Sequence, residues 1–334
     1  MNWFLTLISL VISFIVTFYS VPVWRRYARR VKLIGRDMNK PGKVRISEMG
    51  GLMVMAGSLC GIFYYAGITT FVFRKEDMLL PIFVITSVIL VSAFIGSLDD
   101  ILGWKKGLKQ WEKPLLIFPA AVPVMVVNFT RSTIVLPLLG KVDFGILYPL
   151  ILIPIGISGA ANGFNLLAGY NGLEAGMGVI ILTTLGIVAI LNHYVWLAII
   201  TFSVVSSLLA FLRYNWYPAR VFPGNVLTYF IGAFIACIAI MGNMEKIALL
   251  LFIPYFIDFF LPLRKRFKVE AFAKVNPDGS LDPPYRSPYD FTHLIIMILK
   301  KFRKRVYEKE VVMGCLGFEI VLAVGAILWA LKVI

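Results

Sequence analysis

Histidine, cysteine and charged residues are all scarce in this chain of 334 residues. It has only two histidines, so a serine or cysteine hydrolase that needs an imidazole base is disfavoured. Its three cysteines lie in apolar segments without a CxxC pair, which argues against both disulfides and a zinc site. Charged residues make up 15% of the chain and hydrophobic residues 59%. A soluble domain cannot bury that much apolar surface, so the composition predicts an integral membrane protein.

Apolar runs of roughly 20 residues, the length that crosses a bilayer as a helix, recur along the whole chain. They predict an all-α, polytopic membrane protein with about ten transmembrane helices, forming one domain over residues 1–334. The link 130–146 has β-branched residues around a glycine and predicts a short hairpin. The predicted spans are 2–23, 49–72, 79–98, 114–129, 147–165, 176–192, 194–212, 226–243, 246–262 and 311–332.

The basic residues are distributed very unequally between the two sides of this topology. The segments 24–48, 99–113, 213–225 and 263–310 contain 27 of the 33 Lys and Arg residues. Because positive residues mark cytoplasmic segments, these four are predicted to be cytoplasmic and both termini non-cytoplasmic, with 263–310 a basic, loop-like segment. The net charge of +15 then belongs to one surface. There the positive charge either fixes the membrane orientation and attracts anionic lipids, or binds an anionic substrate. No nucleic-acid-binding motif accompanies this charge.

Polar residues suited to catalysis or ligand binding gather in five segments that are predicted to lie on the cytoplasmic face. In chain order these polar segments are 35–51, 99–113, 161–176, 213–225 and the last cytoplasmic segment, which begins at 261–268. Singly, each has a structural explanation, because an Asn at a helix end is commonly a cap and a Gly in a membrane helix commonly serves packing. Together, ionisable groups at a membrane edge indicate a functional site, which we expect in a cytoplasm-facing groove. Carboxylate and carboxamide oxygens suit Mg²⁺, and nearby Lys and Arg would neutralise a diphosphate. Phosphoryl transfer uses these groups.

Four sequence blocks carry a resemblance to a known family. Residues 162–176 read NGFNLLAGYNGLEAG, residues 215–222 read NWYPARVF, Asp99 is followed by Asp100, and Asp37 opens the sequence DMNK. In this order the blocks resemble the polyprenyl-phosphate N-acetylhexosamine-1-phosphate transferases, and most of all the dolichyl-phosphate N-acetylglucosaminephosphotransferase branch of eukaryotes and archaea. The resemblance covers most of the chain. It implies a ten-helix membrane enzyme that transfers GlcNAc-1-phosphate from UDP-GlcNAc to a polyprenyl (dolichyl-type) phosphate and releases UMP.

The resemblance also implies catalytic and metal-binding residues at matching positions. Asp99 and Asp100 correspond to paired carboxylates near the metal and the lipid phosphate, and which of them acts as a base stays open. Lys113 corresponds to a pyrophosphate-binding lysine, with Lys109 as the alternative because the spacing from Asp100 is long. The implied cofactor is Mg²⁺, with Mn²⁺ as an alternative. Its implied protein ligands are Asn165 and Asn225.

Further positions match the family's contacts with UDP-GlcNAc. The resemblance places the uracil at Asn171 and the Met38 backbone, and the ribose at Gly169 and Glu48. The remaining implied substrate-binding residues are Asn162, which opens the NxxN pattern, and Arg264 and Arg266, which match a basic motif for the diphosphate and GlcNAc.

Two positions depart from the family pattern. Gly224 is followed by Asn225 where the family normally has Asp, so the metal site would carry less negative charge and would bind Mg²⁺ more weakly. Lys265 stands where the related motif has a histidine between two arginines, so this position keeps a positive charge but lacks the imidazole of the motif. The sister family that transfers phospho-MurNAc-pentapeptide has a histidine cluster in its last cytoplasmic loop. This loop has only His293, so that subfamily is not predicted.

Three alternatives remain open at the level of sequence. They are the same reaction with another UDP-N-acetylhexosamine, a transporter of nucleotide-sugar or lipid, and an inactive scaffold, which Asn225 alone supports. Against transport, the polar residues lie at one face rather than at the bilayer midplane. We expect a multi-pass protein of the cell membrane or endoplasmic reticulum, serving the first membrane step of glycan assembly such as N-glycosylation. The expected partners are UDP-GlcNAc, the lipid phosphate and membrane lipids, and a homodimer is left open.

Overall fold

The computed structural model of the chain describes residues 3–102, 112–127, 132–136 and 140–333. Within these ranges the protein is largely helical, with thirteen α-helices and three antiparallel two-stranded hairpins. The α-helices are α1 Trp3–Arg30, α2 Gly51–Phe71, α3 Leu79–Leu102, α4 Glu112–Ile117, α5 Val122–Val127, α6 Ile153–Leu166, α7 Leu173–Leu191, α8 Val195–Asn215, α9 Gly224–Met241, α10 Glu245–Leu251, α11 Ile253–Leu263, α12 Phe291–Phe302 and α13 Glu308–Val333. The strands are β1 Ile34–Arg36, β2 Arg45–Ser47, β3 Thr133–Leu136, β4 Gly140–Asp143, β5 Lys274–Val275 and β6 Leu281–Asp282.

Eight helical segments in the described part of the chain are long and apolar enough to cross a membrane. They contain α1, α2, α3, α6, α7, α8, α9 and α13, and the bent pair of α10 and α11 makes a ninth if it counts as one span. A largely helical, polytopic membrane architecture is therefore confirmed, with only short hairpins beside the helices. The described residues supply eight or nine spans where the sequence predicted ten.

The predicted span 114–129 accounts for part of this difference. Its described residues form α4, a 3₁₀ segment Phe118–Ala121 and α5, rather than one helix. Pro119 and Pro123 stand second in the 3₁₀ segment and in α5. A proline cannot donate the hydrogen bond that would continue the preceding helix. Apolar composition thus predicted a continuous helix that the prolines interrupt.

A proline also accompanies the break in the predicted span 246–262. The chain there forms α10 and α11, which meet at an angle of 56° on either side of Phe252. Pro254 is the second residue of α11, and it removes one backbone donor at the bend. This segment is a bent pair rather than the straight helix that the sequence predicted.

Two links between spans contain more structure than a plain loop. The hairpin predicted within 130–146 is confirmed by the antiparallel pairing of β3 and β4, with Thr133 opposite Asp143. The segment 263–310, predicted as loop-like, contains the β5–β6 hairpin and the twelve-residue helix α12. Asp290 caps α12 by accepting a hydrogen bond from the Thr292 backbone N–H at 2.7 Å. The loop-like prediction does not hold for Phe291–Phe302, where the apolar residues that follow this cap repeat at helical spacing.

Helix α9 forms the centre of the fold. Every residue from Val226 to Met241 is buried, and α9 packs against α2, α3, α6 and α7. The contact with α3 is closest at Gly96, where an added Cβ would lie 2.5 Å from the Asn225 carbonyl oxygen. Small residues permit such close approach between membrane helices. As a result, the last turns of α3, which carry Asp99 and Asp100, lie against the beginning of α9.

Candidate functional site

Asp100 binds the start of α9 through backbone hydrogen bonds. The first N–H groups of a helix have no partner within the helix and lie at its positive end. Two of them donate to Asp100, from Asn225 N to Oδ1 at 2.8 Å and from Val226 N to Oδ2 at 3.0 Å. Gly224 has φ +74°, and an added Cβ would lie 2.5 Å from Asp100 Oδ2. Glycine is therefore required where the chain turns into α9 beneath this carboxylate.

Asp99 is buried and its Oδ2 atom receives three donors. Lys113 Nζ lies at 2.7 Å, the Asn225 side-chain nitrogen at 2.9 Å and the Tyr229 hydroxyl at 3.4 Å. Lys113 comes from α4, while Asn225 and Tyr229 lie on the first two turns of α9. The contact between α3 and α9 thus combines a carboxylate pair, a lysine from α4 and the Asn225 carboxamide.

The third polar segment reaches α9 through Asn165. Its side-chain oxygen accepts a hydrogen bond from the Thr228 hydroxyl at 2.7 Å. Asn162 instead donates to the Ser158 carbonyl of its own helix at 2.8 Å, and it makes no described contact with the other predicted residues. We call the group at the start of α9 the aspartate junction. It comprises Asp99, Asp100, Lys113, Asn165, Asn225, Thr228 and Tyr229.

Backbone pairing brings the first and fourth polar segments to the same place. Phe222 N donates to the Ser47 carbonyl at 2.7 Å, and Gly50 N donates to the Phe222 carbonyl at 2.9 Å. This pairing places Glu48 within electrostatic range of Asp100. Burial raises the pKa of the Glu48 carboxyl above its usual 4.5. Glu48 therefore adds a third, partly buried carboxyl group beside the aspartate junction.

A second polar cluster surrounds Asn171, which is 2% exposed. Its side-chain nitrogen donates to Asp37 Oδ2 at 3.0 Å and to Glu308 Oε1 at 2.7 Å, and its backbone N–H donates to the same Glu308 oxygen at 2.7 Å. Lys40 forms ion pairs with both carboxylates, lying 3.2 Å from Asp37 Oδ2. We call Asp37, Asn39, Lys40, Asn171 and Glu308 the Asn171 cluster. It joins the first cytoplasmic segment, the third and α13.

Gly169 lies at the edge of the Asn171 cluster. Its carbonyl accepts a hydrogen bond from the Asn39 side chain at 2.9 Å, and its N–H donates to Glu174 Oε1 at 2.8 Å. The aromatic ring of Phe272 packs against it, 3.0 Å from where a Cβ would stand. Met38 is partly buried beside this cluster. The residues that the resemblance assigns to uracil and ribose are thus near one another, apart from Glu48, which lies by the aspartate junction.

The last cytoplasmic segment is not joined to either group through its arginines. Arg264 donates to the Leu261 carbonyl at 3.2 Å and to the Pro288 carbonyl, and its guanidinium stacks on the Tyr289 ring at 5.2 Å. Arg266 is exposed, and in the described ranges its side chain has no hydrogen bond or ion pair. Lys109 lies outside the described residues. The roles of these three residues stay predictions.

The oxygen atoms of the aspartate junction fit a hard cation. Among the described residues, no group of three or more His, Cys, Asp or Glu side chains is arranged to hold a metal ion. The junction offers instead the carboxylates of Asp99 and Asp100 and the amide oxygens of Asn165 and Asn225. All are oxygen ligands of the type that Mg²⁺ prefers, and Mg²⁺ commonly shares its coordination with water and substrate phosphates. These four side chains can therefore supply oxygen ligands for Mg²⁺ without a carboxylate at position 225.

Sequence reasoning missed several residues that complete these groups. Thr228 and Tyr229 lie inside a predicted apolar span, and no local pattern distinguishes them from packing residues. Glu308 lies at the edge of a basic segment, about 137 residues from its partner Asn171. Asp37 and Lys40 belong to the DMNK block that carried the resemblance, but no role was assigned to them. The DMNK block was thus a sequence signal for Asp37 and Lys40. No such signal exists for Thr228, Tyr229 and Glu308.

Comparison with known proteins gives consistent results. Residues 82–243 match the glycosyl transferase family 4, a range that contains Asp99, Asp100, Asn165 and Asn225. A chain of Saccharolobus solfataricus, named for UDP-N-acetylglucosamine–dolichyl-phosphate N-acetylglucosaminephosphotransferase activity, is 38% identical over 96% of this chain and 96% of its own.

Two further relatives carry the same activity in their names. A chain of Sulfolobus acidocaldarius is 34% identical over 97% of this chain and 95% of its own. A chain of the eukaryote Dictyostelium discoideum is 26% identical over 92% of this chain and 86% of its own. The similarity therefore extends along nearly the whole chain and includes both polar groups described above.

Proposed function

We infer the function from one premise: the chain belongs to the glycosyl transferase family 4, in the branch of the UDP-N-acetylglucosamine–dolichyl-phosphate N-acetylglucosaminephosphotransferases. We propose that it transfers GlcNAc-1-phosphate from UDP-GlcNAc to a polyprenyl phosphate of the dolichyl type, releasing UMP. The product is a lipid-diphosphate-GlcNAc. This reaction would be the first membrane step of glycan assembly, such as N-glycosylation.

The observation that carries the proposal is the aspartate junction. Helices α3, α4 and α6 meet at the first turns of α9, where two carboxylates, a lysine and two carboxamides form one connected set of hydrogen bonds with an ion pair. Phosphoryl transfer depends on positioning and on electrostatic stabilisation more than on covalent chemistry. A buried helix end that holds such groups rigidly provides both.

The proposed reaction exchanges one phosphorus–oxygen bond for another. An oxygen of the lipid phosphate attacks the β-phosphorus of UDP-GlcNAc, and the bond from that phosphorus to the oxygen bridging to the α-phosphate breaks, so that UMP leaves. The lipid phosphate would enter sideways between helices and lie near Asp99 and Asp100. Lys113 would spread the negative charge of the diphosphate, since its ammonium group is already held at this point by Asp99.

We further propose that the enzyme depends on Mg²⁺, with Mn²⁺ as an alternative. Asn165 and Asn225 would hold the ion through their amide oxygens, supported by the charges of Asp99 and Asp100. A bound divalent ion neutralises charge on a diphosphate. Thr228 would fix the Asn165 oxygen, and Asp99 would fix the Asn225 amide by accepting from its nitrogen.

The orientation in the membrane is also a proposal. The distribution of Lys and Arg supports both termini on the non-cytoplasmic side and the aspartate junction facing the cytoplasm. UDP-GlcNAc would then arrive from the cytoplasm, with uracil at Asn171 and Met38 and ribose at Gly169 and Glu48. Arg264 and Arg266 would contact the diphosphate and the sugar only after their segment moves, because Arg264 is bound to backbone carbonyls of that segment.

A two-substrate assay on the purified protein tests the proposal. UMP should be released only when UDP-GlcNAc and polyprenyl phosphate are both present, and chelation of divalent ions should stop the release. Release of UMP without the lipid, or uptake of intact nucleotide-sugar into vesicles without chemistry, would contradict it and favour the transporter. Competing UDP-N-acetylhexosamines in the same assay would identify the preferred sugar.

A further inference from the structure

The Asn171 side chain has a fixed orientation. Its nitrogen donates to two carboxylate oxygens, one from Asp37 and one from Glu308. Its oxygen is buried and accepts no hydrogen bond from any residue in the described ranges. A buried acceptor without a donor is unfavourable, so the arrangement leaves one polar atom ready to accept from a ligand.

The reverse orientation of this amide is excluded by its neighbours. Carboxylates only accept hydrogen bonds, so a flipped amide would place its oxygen against Asp37 Oδ2 and Glu308 Oε1. Lys40 lies between the same two carboxylates and compensates their charge. The backbone N–H of Asn171 also donates to Glu308 Oε1, which holds that oxygen in place from a second direction.

We propose that Glu308, together with Asp37, is a positioning residue that makes the Asn171 side chain a pure hydrogen-bond acceptor toward the nucleobase and thereby selects uridine over cytidine nucleotides. The inference rests on the proposed function, in which Asn171 lies at the uracil. It adds to that function which atom of Asn171 faces the base, namely the side-chain oxygen, and which residues set this orientation, namely Asp37 and Glu308.

The selectivity follows from the chemistry of the two pyrimidines. Uracil carries an N–H donor at ring position 3, whereas cytosine has a lone pair there. An amide free to rotate can serve either base by turning its oxygen or its nitrogen outward. The Asn171 nitrogen is already bound, so a base with an acceptor at this position meets another acceptor. Because Asn171 is only 2% exposed, a neighbouring side chain must move aside for the base to reach it.

Glu308, which would orient the Asn171 side chain, is 137 residues away from it in the sequence. It is the first residue of α13, the last helix in sequence, while Asp37 precedes α2. Base recognition would therefore depend on the docking of α13 against the first cytoplasmic segment. Asn39 repeats the pattern on a smaller scale: its nitrogen donates to the Gly169 carbonyl and its own oxygen is buried without a donor.

The first test uses the purified wild-type protein and measures binding of UMP, CMP and 3-methyl-UMP by calorimetry or thermal shift. UMP should bind at least about tenfold more tightly than the other two, because each of them lacks the N–H donor. Equal binding of UMP and 3-methyl-UMP would overturn the proposal without any variant. If the protein binds UMP in this way but releases no UMP in the two-substrate assay, the proposed function fails, the acceptor role of Asn171 stands, and the Glu308 variants still test the positioning role.

The second test uses Glu308→Ala, Glu308→Gln and the control Glu310→Ala. Glu310 lies on the same turn of α13 but pairs with the exposed Arg303. Glu308→Ala should weaken UMP about tenfold and leave CMP unchanged or tighter, so that the UMP-to-CMP ratio falls. Glu308→Gln keeps an oxygen toward Asn171 and should restore most of the ratio. A parallel loss of UMP and CMP affinity in Glu308→Ala would show a merely structural role and would overturn the inference. If Glu308→Ala does not fold, Glu308→Gln decides, and a loss of the UMP-to-CMP ratio in that folded variant would overturn the inference.

Discussion

The aspartate junction and the Asn171 cluster are built from similar side chains and differ in how their charges are satisfied. Each contains two acidic residues, one lysine and at least one asparagine. In the aspartate junction, backbone N–H groups of α9 donate hydrogen bonds to the Asp100 carboxylate. Lys113, which pairs with Asp99, has a side chain that is 22% exposed. In the Asn171 cluster the lysine side chain is 14% exposed and the acidic partners are 2% exposed.

This difference in how the carboxylates are compensated suits the aspartate junction to catalysis and the Asn171 cluster to a structural and binding role. A helix end that stabilises a carboxylate leaves other oxygen atoms of the junction available to a cation or a phosphate. A closed ion-paired cluster has its charges compensated internally, and it holds three distant segments in one geometry. We expect changes in the aspartate junction to act mainly on turnover, and changes in the Asn171 cluster to act mainly on stability and nucleotide binding.

The largest contrast should come from removing the two lysines. Lys40→Met leaves two buried carboxylates without their cation, which should cost about 3–5 kcal/mol of unfolding free energy. Lys113→Met leaves Asp99 with its Asn225 and Tyr229 donors and should cost far less stability while reducing turnover strongly. Thermal unfolding and UMP release would be measured for both, with the exposed Lys43→Met as control. Equal stability losses in the two variants would remove the distinction drawn here.

The second effect concerns Asp100, which combines a structural and a proposed catalytic role. Asp100→Asn keeps one acceptor for the N–H groups of α9, so most of the stability should remain. UMP release should fall by about 10²–10³-fold, the range for loss of one stabilising group in an active site. Asp77→Asn, near the opposite end of α3, serves as control. Near-normal turnover in Asp100→Asn would exclude the charge of Asp100 from the reaction.

A third, smaller effect is expected from restoring the family residue at position 225. Asn225→Asp replaces the donor to Asp99 Oδ2 by a carboxylate, and the lost hydrogen bond to a charged group is worth about 1.5–3 kcal/mol. In chelator the variant should therefore unfold at a lower temperature than the wild type. In Mg²⁺ it should gain more stability than the wild type and reach half-maximal activity at lower Mg²⁺. If Mg²⁺ stabilised both proteins equally, residue 225 would not contact the ion.

The smallest effect is a pH dependence beside the aspartate junction. Burial raises the pKa of Glu48 above its usual 4.5, so the folded chain binds this proton more tightly than the unfolded chain. The stability that the protonated carboxyl provides is fully present below pH 4.5 and is lost as the pH rises through the folded pKa. Glu48→Gln should thus be more stable than the wild type at pH 7, and the difference should disappear toward pH 4. The exposed Glu270→Gln serves as the control, and a pH-independent difference for Glu48→Gln would contradict the prediction.

The sequence was sufficient for the membrane class, the family and the residues of α3, α6 and α9 that meet at one helix end. Composition determines the class, and the order of the Asn/Gly block and NWYP determines the family, which the relatives confirm. Asp99, Asp100, Asn165 and Asn225 were chosen by motif, and the fold brings them together. Their individual roles stay predictions.

Features that depend on packing could not be predicted in the same way. The broken helices around Pro119 and Pro254 required weighing proline positions against apolar length. Thr228 becomes part of the aspartate junction because α6 packs closely against α9, where a Cβ added at Gly232 would lie 2.4 Å from the Ala160 carbonyl oxygen. Glu308 becomes part of the Asn171 cluster only because α13 docks beside the first cytoplasmic segment. Neither contact has a local sequence signal.

The separation of the aspartate junction along the chain has a consequence for biosynthesis. Asp100 and its partner Asn225 are 125 residues apart. At a translation rate of roughly 5–20 residues per second, α3 emerges from the ribosome several seconds or more before α9. During that interval Asp100 lacks both of its described donors, because the N–H groups of Asn225 and Val226 have not yet been made. Of the described donors to Asp99, only Lys113 exists by then. Membrane insertion of α9 is therefore the event that completes this site in the newborn protein.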